Sequence, residues 1–400
     1  MNLKPEVFSG FFIKFLQNLY YYLILVMRFL SNILMVVILT ACGGGGGAAA
    51  PEPATPTPTP VPTPPPTPSI ELNVDAAFEY GMADGRYTQA MIVYQDGDIL
   101  RSEYRGITTN ETANLPAAVS ALSLFYLIRN ENDFVHSWSV GKSVTSVLIG
   151  IAIDRGFIEE LDQSASDYIN EWADDARANI TIRNLLDMRS GLISNDYDNG
   201  QFGPTGYLDY TGNCINRQLR GDNSFQYINC DYQVLGEILE RATGQDFMRF
   251  ADDELFSKIG AEAYMWQDAS GNYHTYSGLD MTANDFLEFG KFLVDENQTI
   301  LSDDYRQEIL NRSGTTRTYN LGFWYGGGLV TARGADGQGI SIDNENKVVV
   351  IRNSLYYVTS EDRVLDVTTS IPTVPLTLPG LAGGSNDFDF SEVLNRLYSE

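Results

Sequence analysis

Residues 136–150 read His-Ser-Trp-Ser-Val-Gly-Lys-Ser-Val-Thr-Ser-Val-Leu-Ile-Gly, a turn running into an apolar helix. Within this stretch Ser139 and Lys142 stand three apart, a spacing that puts both side chains on one helix face and lets the amine reach the hydroxyl. A serine hydroxyl is a weak nucleophile at neutral pH and needs a neighbour to take its proton as it attacks a carbonyl. A lysine can do so only after losing its own charge, which burial among apolar groups and nearby positive charge favour. The bare N–H groups and positive dipole end of a helix N-terminus suit negative charge developing there. The pair is therefore a candidate for acyl transfer. The same tetrad also reads as a plain helix start, with Ser139 as N-cap and Lys142 as a solvated first-turn residue. The local sequence leaves both readings open.

The elements that would position this pair are legible from their caps and turns. The Ser139 helix runs through Ile151-Ala-Ile-Asp-Arg-Gly156, with Gly156 as its stop. Upstream, a helical stretch from about Ile70 leads to two alternating apolar runs around Asp96-Gly97, a hairpin signal. An apolar helix is expected near residues 116–128. Thr181 caps a short helix that Gly191 ends, and Tyr227 to Gly244 reads as a further helix. The segment 193–224, rich in Gly, Asn, Asp and Tyr, is too long for an ordinary connection and is expected to wall a pocket. Thr282-Ala-Asn-Asp285 is a capping box opening the helix from Phe286. The chain closes with strands around the Gly-rich Gly334–Gly339 and a last helix near 390–399. Strands at both ends with helices between predict an α/β fold, one antiparallel sheet made from the two chain ends and carrying a mostly helical insert.

Residues 1–41 stand apart from this body. They are strongly apolar from residue 11, broken by Lys14 and Arg28, and end in Leu39-Thr40-Ala41-Cys42. A basic start, an apolar run and small residues before a cysteine outline a lipoprotein signal, with Cys42 as the lipidated residue. Met27-Arg28 with Phe29–Leu39 would already be a complete signal, making Met27 an alternative start. An uncleaved membrane helix near 19–41 is the other reading, although it has no need of that cysteine. Residues 42–69, rich in Gly, Ala, Pro and Thr, form a tether, and 70–400 form the catalytic body. Either reading puts that body outside the cytoplasmic membrane, lipid-anchored in the cell envelope if Cys42 is modified.

A formal charge of −26 argues against nucleic acid or anionic membrane as partners and suits solubility. Besides Cys42 only Cys214 and Cys230 remain, an even pair in an oxidising compartment and hence an expected disulfide. Two cysteines and two histidines without ligand spacing build no metal site. His136, three before Ser139, reads as structural; His274 carries no signal.

The order of segments resembles the β-lactamase-related serine hydrolases, a family that includes class C β-lactamases, DD-peptidases, esterases and 6-aminohexanoate-dimer hydrolases. Trp138-Ser139-Val-Gly-Lys142-Ser-Val-Thr-Ser is similar to its nucleophile motif, and Ile180–Leu192 to its "ITIRxLLxMxSGL" segment. Phe225-Gln-Tyr227-Ile-Asn229 matches its Tyr-x-Asn motif, and Gly278–Gly290 its "GGLxxTAxDLxxFG" segment. Tyr-x-Asn also occurs at Tyr168 and Tyr197, but only Tyr227 lies at the family's separation. The resemblance implies the family fold, no cofactor, and an acyl-enzyme on Ser139 with Lys142 and Tyr227 moving protons. Asn229 would orient Lys142 and the substrate, which would be a small ester or amide. The third motif departs from the family. Where Lys-Thr-Gly or His-x-Gly usually stands, this chain has Gly334-Ala335-Asp336-Gly337-Gln338, without the basic residue. The oxyanion hole implied is the Ser139 N–H with that of Gln338 or, as the lesser alternative, of Ala335. Losing the basic residue weakens the β-lactamase or DD-peptidase alternative, with Arg333 as a possible substitute. An inactive binding protein on the same scaffold is the alternative from another class.

Overall fold

Asp96 and Gly97 both take positive φ (42° and 110°), the backbone that a two-residue hairpin needs to match the twist of its strands. They join β1 (Thr88–Gln95) to β2 (Asp98–Tyr104) in antiparallel pairing. The structure, a computed structural model, describes residues 70–114, 130–194, 209–268, 270–311, 318–326, 328–354 and 389–399, all within the compact unit Pro66–Glu400. The leader 1–41, Cys42, the tether, the helix expected near 116–128, and Tyr197 lie outside the described residues. Among the described residues no helix is long and apolar enough to cross a membrane, and no cluster of His, Cys, Asp and Glu could hold a metal ion.

Helix α1 (Val74–Gly81) precedes the hairpin, capped by Asn73, whose side chain accepts from the Ala76 N–H at 3.2 Å. The sheet runs β2-β1-β10-β9-β8-β7-β6, so the N-terminal hairpin lies directly beside the C-terminal strands. These are β6 (Tyr319–Asn320), β7 (Phe323–Gly326), β8 (Leu329–Arg333), β9 (Gly339–Asp343) and β10 (Val348–Ser354), all antiparallel. A second small sheet holds β3 (Val135–His136), β5 (Leu279–Met281) and β4 (Ala263–Met265) in that order.

β1 and β10 are apolar on both faces because each face is covered. Ala90, Ile92, Val349 and Ile351 enter the main core, while Met91, Val93, Val348 and Val350 meet Ala77, Phe78, Val393 and Leu397 on the other side. That outer layer pairs α1 with the last helix, Phe390–Leu397. On the inner side lies the helix that Ser139 opens, α2 (Val140–Asp154), buried from Val140 through Ala152. Burial all round marks it as the central helix of the body. Gly150 lets the Tyr305 ring approach, since a Cβ would lie 2.7 Å from ring carbons, and Gly156 (φ 74°) ends the turn.

Three helix boundaries differ from the sequence reading. The helix capped by Thr181 stops at Leu186, where Met188 already turns to φ 54°, and Gly191 (φ 78°) belongs to a later turn packed on the Asp222 carbonyl. Helix α3 spans Asn229–Thr243 and ends at left-handed Gly244, but Tyr227 lies outside it. Ile228 is extended (φ −136°, ψ 142°), which keeps the tyrosine off the helix surface. The capping box at Thr282 and Asp285 is present, but α4 (Ala283–Val294) starts at Ala283, directly after the cap and ahead of the expected Phe286. Of the segment expected to wall a pocket, residues 209–224 include the short helix Tyr210–Ile215, and 195–208 lie outside the described residues.

That short helix is fastened to the first turn of α3 by a buried disulfide between Cys214 and Cys230, Cα atoms 5.1 Å apart. Cross-linking positions at this separation restricts the unfolded chain and contributes about 3 kcal/mol in the chain-entropy picture. The double substitution Cys214→Ser/Cys230→Ser should lower the urea midpoint by a corresponding amount. Thiol titration should find neither cysteine free before reduction; free thiols at both positions would contradict the bond.

Candidate active site

The site is built from the elbow ahead of α2 outward. Trp138 holds φ 49°, a conformation that costs a bulky residue energy and needs support from its surroundings. That support comes from β3 and β5. His136 pairs with Asp280 in the strand register, its Nδ1 lies 2.8 Å from Asp280 Oδ1, and Trp266 donates Nε1–H to Asp280 Oδ2 at 3.0 Å. The His136 ring meets the Trp138 ring edge-to-face, centroids 4.6 Å apart. His136 is thus a brace for the elbow, in line with its structural reading.

The two readings of the tetrad now separate. Ser139 occupies the N-cap position of α2, yet its side chain caps nothing, and Lys142 is fully buried rather than solvated. Lys142 Nζ donates to Ser139 Oγ at 2.9 Å and to the Tyr276 carbonyl at 3.0 Å. It also lies 5.0 Å and 5.3 Å from the centroids of the Tyr227 and Tyr276 rings. The Tyr276 carbonyl is presented by a tight turn in which Ser277 and Gly278 donate their N–H groups to the His274 carbonyl. Gly278 is required there, since a Cβ would lie 2.7 Å from that of His274.

Tyr227 reaches the same hydroxyl from the extended residues ahead of α3. Burial pushes its phenol up to about 12, an effect its side-chain hydrogen bond with Ser139 partly offsets. The ring stacks on Trp324 of β7, centroids 5.4 Å apart, and meets Tyr319 edge-on at 5.9 Å. The structure therefore brings Ser139, Lys142 and Tyr227 together. Asn229 is buried as the first residue of α3, two positions from Tyr227 and next to the disulfide at Cys230. Tyr168 lies apart from this group, its hydroxyl donating to the Phe157 carbonyl at 3.0 Å.

The third motif forms a tight turn at the end of β8. Gly334 passes so close to the elbow that a Cβ would sit 2.2 Å from the Ser137 carbonyl oxygen. Ala335–Gly337 make one 3-10 turn, with Gly337 at φ 80°. From behind, the buried Arg352 donates to the Gly337 and Arg86 carbonyls and to Thr88 Oγ1, each within 2.9 Å. The Gln338 side chain is tied inward to Ser354 and Asn353. Its backbone N–H, expected to serve the oxyanion, donates instead to the Ala335 carbonyl at 3.3 Å, closing the turn. That bond is long enough to be weak. Ser139, Tyr227, Trp324, Arg333, Ala335, Gly337 and Gln338 line one cleft of about 470 Å³.

Comparison with known proteins agrees with this architecture. The Beta-lactamase family model matches residues 74–365. The chain belongs to the β-lactamase family. Within reach of it, the 6-aminohexanoate-dimer hydrolase of Paenarthrobacter ureafaciens is 24% identical over 257 residues, which is 54% of this chain and 64% of that relative. The match thus spans less than two thirds of the relative's own length. Among solved structures, EstCE1, a hydrolase with promiscuous acyltransferase activity, superposes with a TM-score of 0.57 at 12% identity, covering 82% of this chain and 98% of its own. FmtA from Staphylococcus aureus gives 0.56 at 14% identity, covering 75% and 90%. At such identities the likeness shows the β-lactamase-type fold, an antiparallel sheet with flanking helices. The chain thus carries the fold of the β-lactamase family.

Sequence reasoning missed Tyr276, Trp324 and the residues Asp389–Ser391, which line or support the cleft. Tyr276 stands two before Gly278, where the recognised helix-opening segment begins, and that adjacency was the available signal. It also passed over His274. This imidazole is buried against Tyr210 and Tyr276, and burial pushes it down to about 4, with Asp268 opposing and His136 adding to the depression. The folded state therefore keeps His274 neutral while the unfolded chain protonates below its ordinary 6.5. Its contribution is fully present above pH 6.5 and is lost as pH falls toward 4, by about 3 kcal/mol in total. Urea unfolding of His274→Gln should show a shallower loss of stability between pH 6.5 and 4.5 than the parent protein. Equal slopes would remove His274 from the account.

Proposed function

We propose that this chain is a serine hydrolase that cleaves an ester or an unstrained amide through an acyl-enzyme on Ser139. The observation that carries the reading is the meeting at one hydroxyl of the Lys142 amine, 2.9 Å away, and the Tyr227 phenol. In this reading Ser139 Oγ attacks the acyl carbon and its proton passes to Lys142, the general base. The phenol, held protonated at neutral pH by its raised pKa, gives its proton to the departing alkoxide or amine. It recovers a proton through Lys142, and a water then attacks the acyl carbon along the same relay. Asn229 orients the lysine and the scissile group with its two-sided amide.

The oxyanion meets the Ser139 N–H at the start of α2. Gln338 N–H is the second donor if substrate displaces its weak bond to Ala335, a small change within one turn. The absent basic residue at Ala335 supports an ester or amide over a β-lactam, whose carboxylate would lack its usual partner there. Lipid attachment at Cys42 and a place outside the cytoplasmic membrane belong to the same proposal, supported by the leader's pattern and by a disulfide suited to an oxidising compartment.

A fluorophosphonate probe should label the protein at Ser139 and fail on Ser139→Ala. Lys142→Met and Tyr227→Phe should each lower kcat for a nitrophenyl ester by about 10²–10⁴-fold with an intact fold. Absence of labelling on the folded protein would instead favour a binding protein, and nitrocefin turnover equal to ester turnover a β-lactamase. In cells, labelled palmitate should enter the protein and be lost in Cys42→Ala; label-free parent protein would reject the anchor.

A further inference from the structure

Two groups reach Ser139 from distant parts of the chain. The Tyr227 phenol comes from the residues ahead of α3, and Lys142 is held by the Tyr276 carbonyl in the turn at 273–278. Neither tyrosine lies in a helix or strand, so packing must set its place. Nor is the start of α3 self-sufficient. Ile228, in the N-cap position, has no capping side chain to offer the first turn, which begins with Asn229.

The short helix Tyr210–Ile215 packs on both segments. Toward α3, Cys214 is bonded to Cys230, the neighbour of Asn229, and Thr211 Oγ1 accepts from Gln233 Nε2 at 2.9 Å. The same amide donates to the Tyr273 carbonyl at 2.6 Å, at the entry to the turn. Toward the turn, the Tyr210 ring lies parallel to that of His274, centroids 6.2 Å apart, and 5.1 Å from that of Tyr276. The Tyr210 hydroxyl is 3.9 Å from Cys230 Sγ, so one side chain touches both the disulfide and the turn that holds the lysine. The helix is itself anchored. Its Tyr210 N–H donates to the buried Asp268 at 2.9 Å, and its Ile215 carbonyl accepts from Trp172 Nε1 at 2.8 Å. Tyr210, Cys214 and Cys230 are buried and do not line the cleft, so they act on the site only through the segments they space.

We propose that Tyr210 and the Cys214–Cys230 bond are positioning groups for the nucleophile: a clamp that fixes Tyr227 and Asn229 relative to the Tyr276 carbonyl, and so to Lys142. Ser139 then reaches full reactivity only in chains whose bond is closed. The kinetic half of this inference rests on the hydrolase reading. A displacement of about 1 Å in such a constellation costs up to about a hundredfold in rate. Lost stability alone leaves the turnover of the folded molecules unchanged.

The test reads the full chain well below the unfolding midpoint of each variant, with circular dichroism checking the fold. Cys214→Ala/Cys230→Val keeps apolar volume without the bond, and Tyr210→Leu keeps the bond without the ring. Each should lower kcat for a nitrophenyl ester about tenfold or more with KM within about twofold of the parent. Fluorophosphonate labelling of Ser139 should slow by the same factor. If the cysteine pair variant fails to fold, Tyr210→Leu carries the same test. Hydrogen exchange needs no turnover: in the variants the amides of Asn229–Tyr232 and those of Ser277 and Gly278 should both exchange faster, while Val348–Val350 at the far end of the sheet stay as in the parent. A parent protein that neither labels nor turns over ester defeats the hydrolase reading, and exchange alone then decides the clamp. Parent-like kcat and labelling in the folded variants, or exchange that quickens in one segment and not the other, would overturn it.

Discussion

The structure depends on placing one lysine amine in a fully buried position within hydrogen-bonding distance of a serine hydroxyl. Removing an amine from water costs several kcal/mol unless polar partners and surrounding electrons compensate. Lys142 is compensated by Ser139 Oγ, by the Tyr276 carbonyl, and by two tyrosine ring faces. Each partner comes from a different part of the chain, so the lysine is held only when the elbow, the turn at 274–278 and the residues before α3 are all in place.

The architecture follows from that requirement. α2 must be buried on every side to seal the amine, and this demands a layer on each flank: the seven-stranded sheet on one and the helical body on the other. The sheet can carry apolar residues on both faces because α1 and the C-terminal helix cover its outer side. The strain stored at Trp138 is sustained by the packed His136–Asp280–Trp266 cluster. A strained non-glycine residue beside a nucleophile persists only where such surroundings over-determine it.

The cleft's opposite wall obeys a different constraint. The turn at Ala335–Gly337 has no basic side chain of its own at the family position, and its backbone is held from behind by Arg352. This buried guanidinium donates to backbone carbonyls and steadies the turn, and its side chain does not line the cleft. The only described basic side chain that lines the cleft is Arg333, one strand residue away. Fold and electrostatic character of this wall are therefore set by separate arginines.

By itself the sequence determined the local features: the Asp96-Gly97 hairpin, the caps at Thr181 and Thr282, the stops at Gly156 and Gly244, and the grouping of motifs that led to Ser139, Lys142 and Tyr227. These rest on interactions within a few residues, which leave a trace in residue type and spacing. With Cys42 set aside as part of the leader pattern, the two cysteines left are the pair that the structure bonds, Cys214 and Cys230. Only the tertiary structure decided whether Lys142 was solvated or buried, that Tyr227 stands outside its helix, that Gln338 spends its N–H on Ala335, and that Tyr276, Trp324 and Asp389 share the site. The burial of Lys142 and the sharing of one cleft depend on contacts between segments far apart in the chain, for example Lys142 with Tyr276. A pattern read along one chain carries periodicity and caps but no record of which distant surface closes over a given side chain.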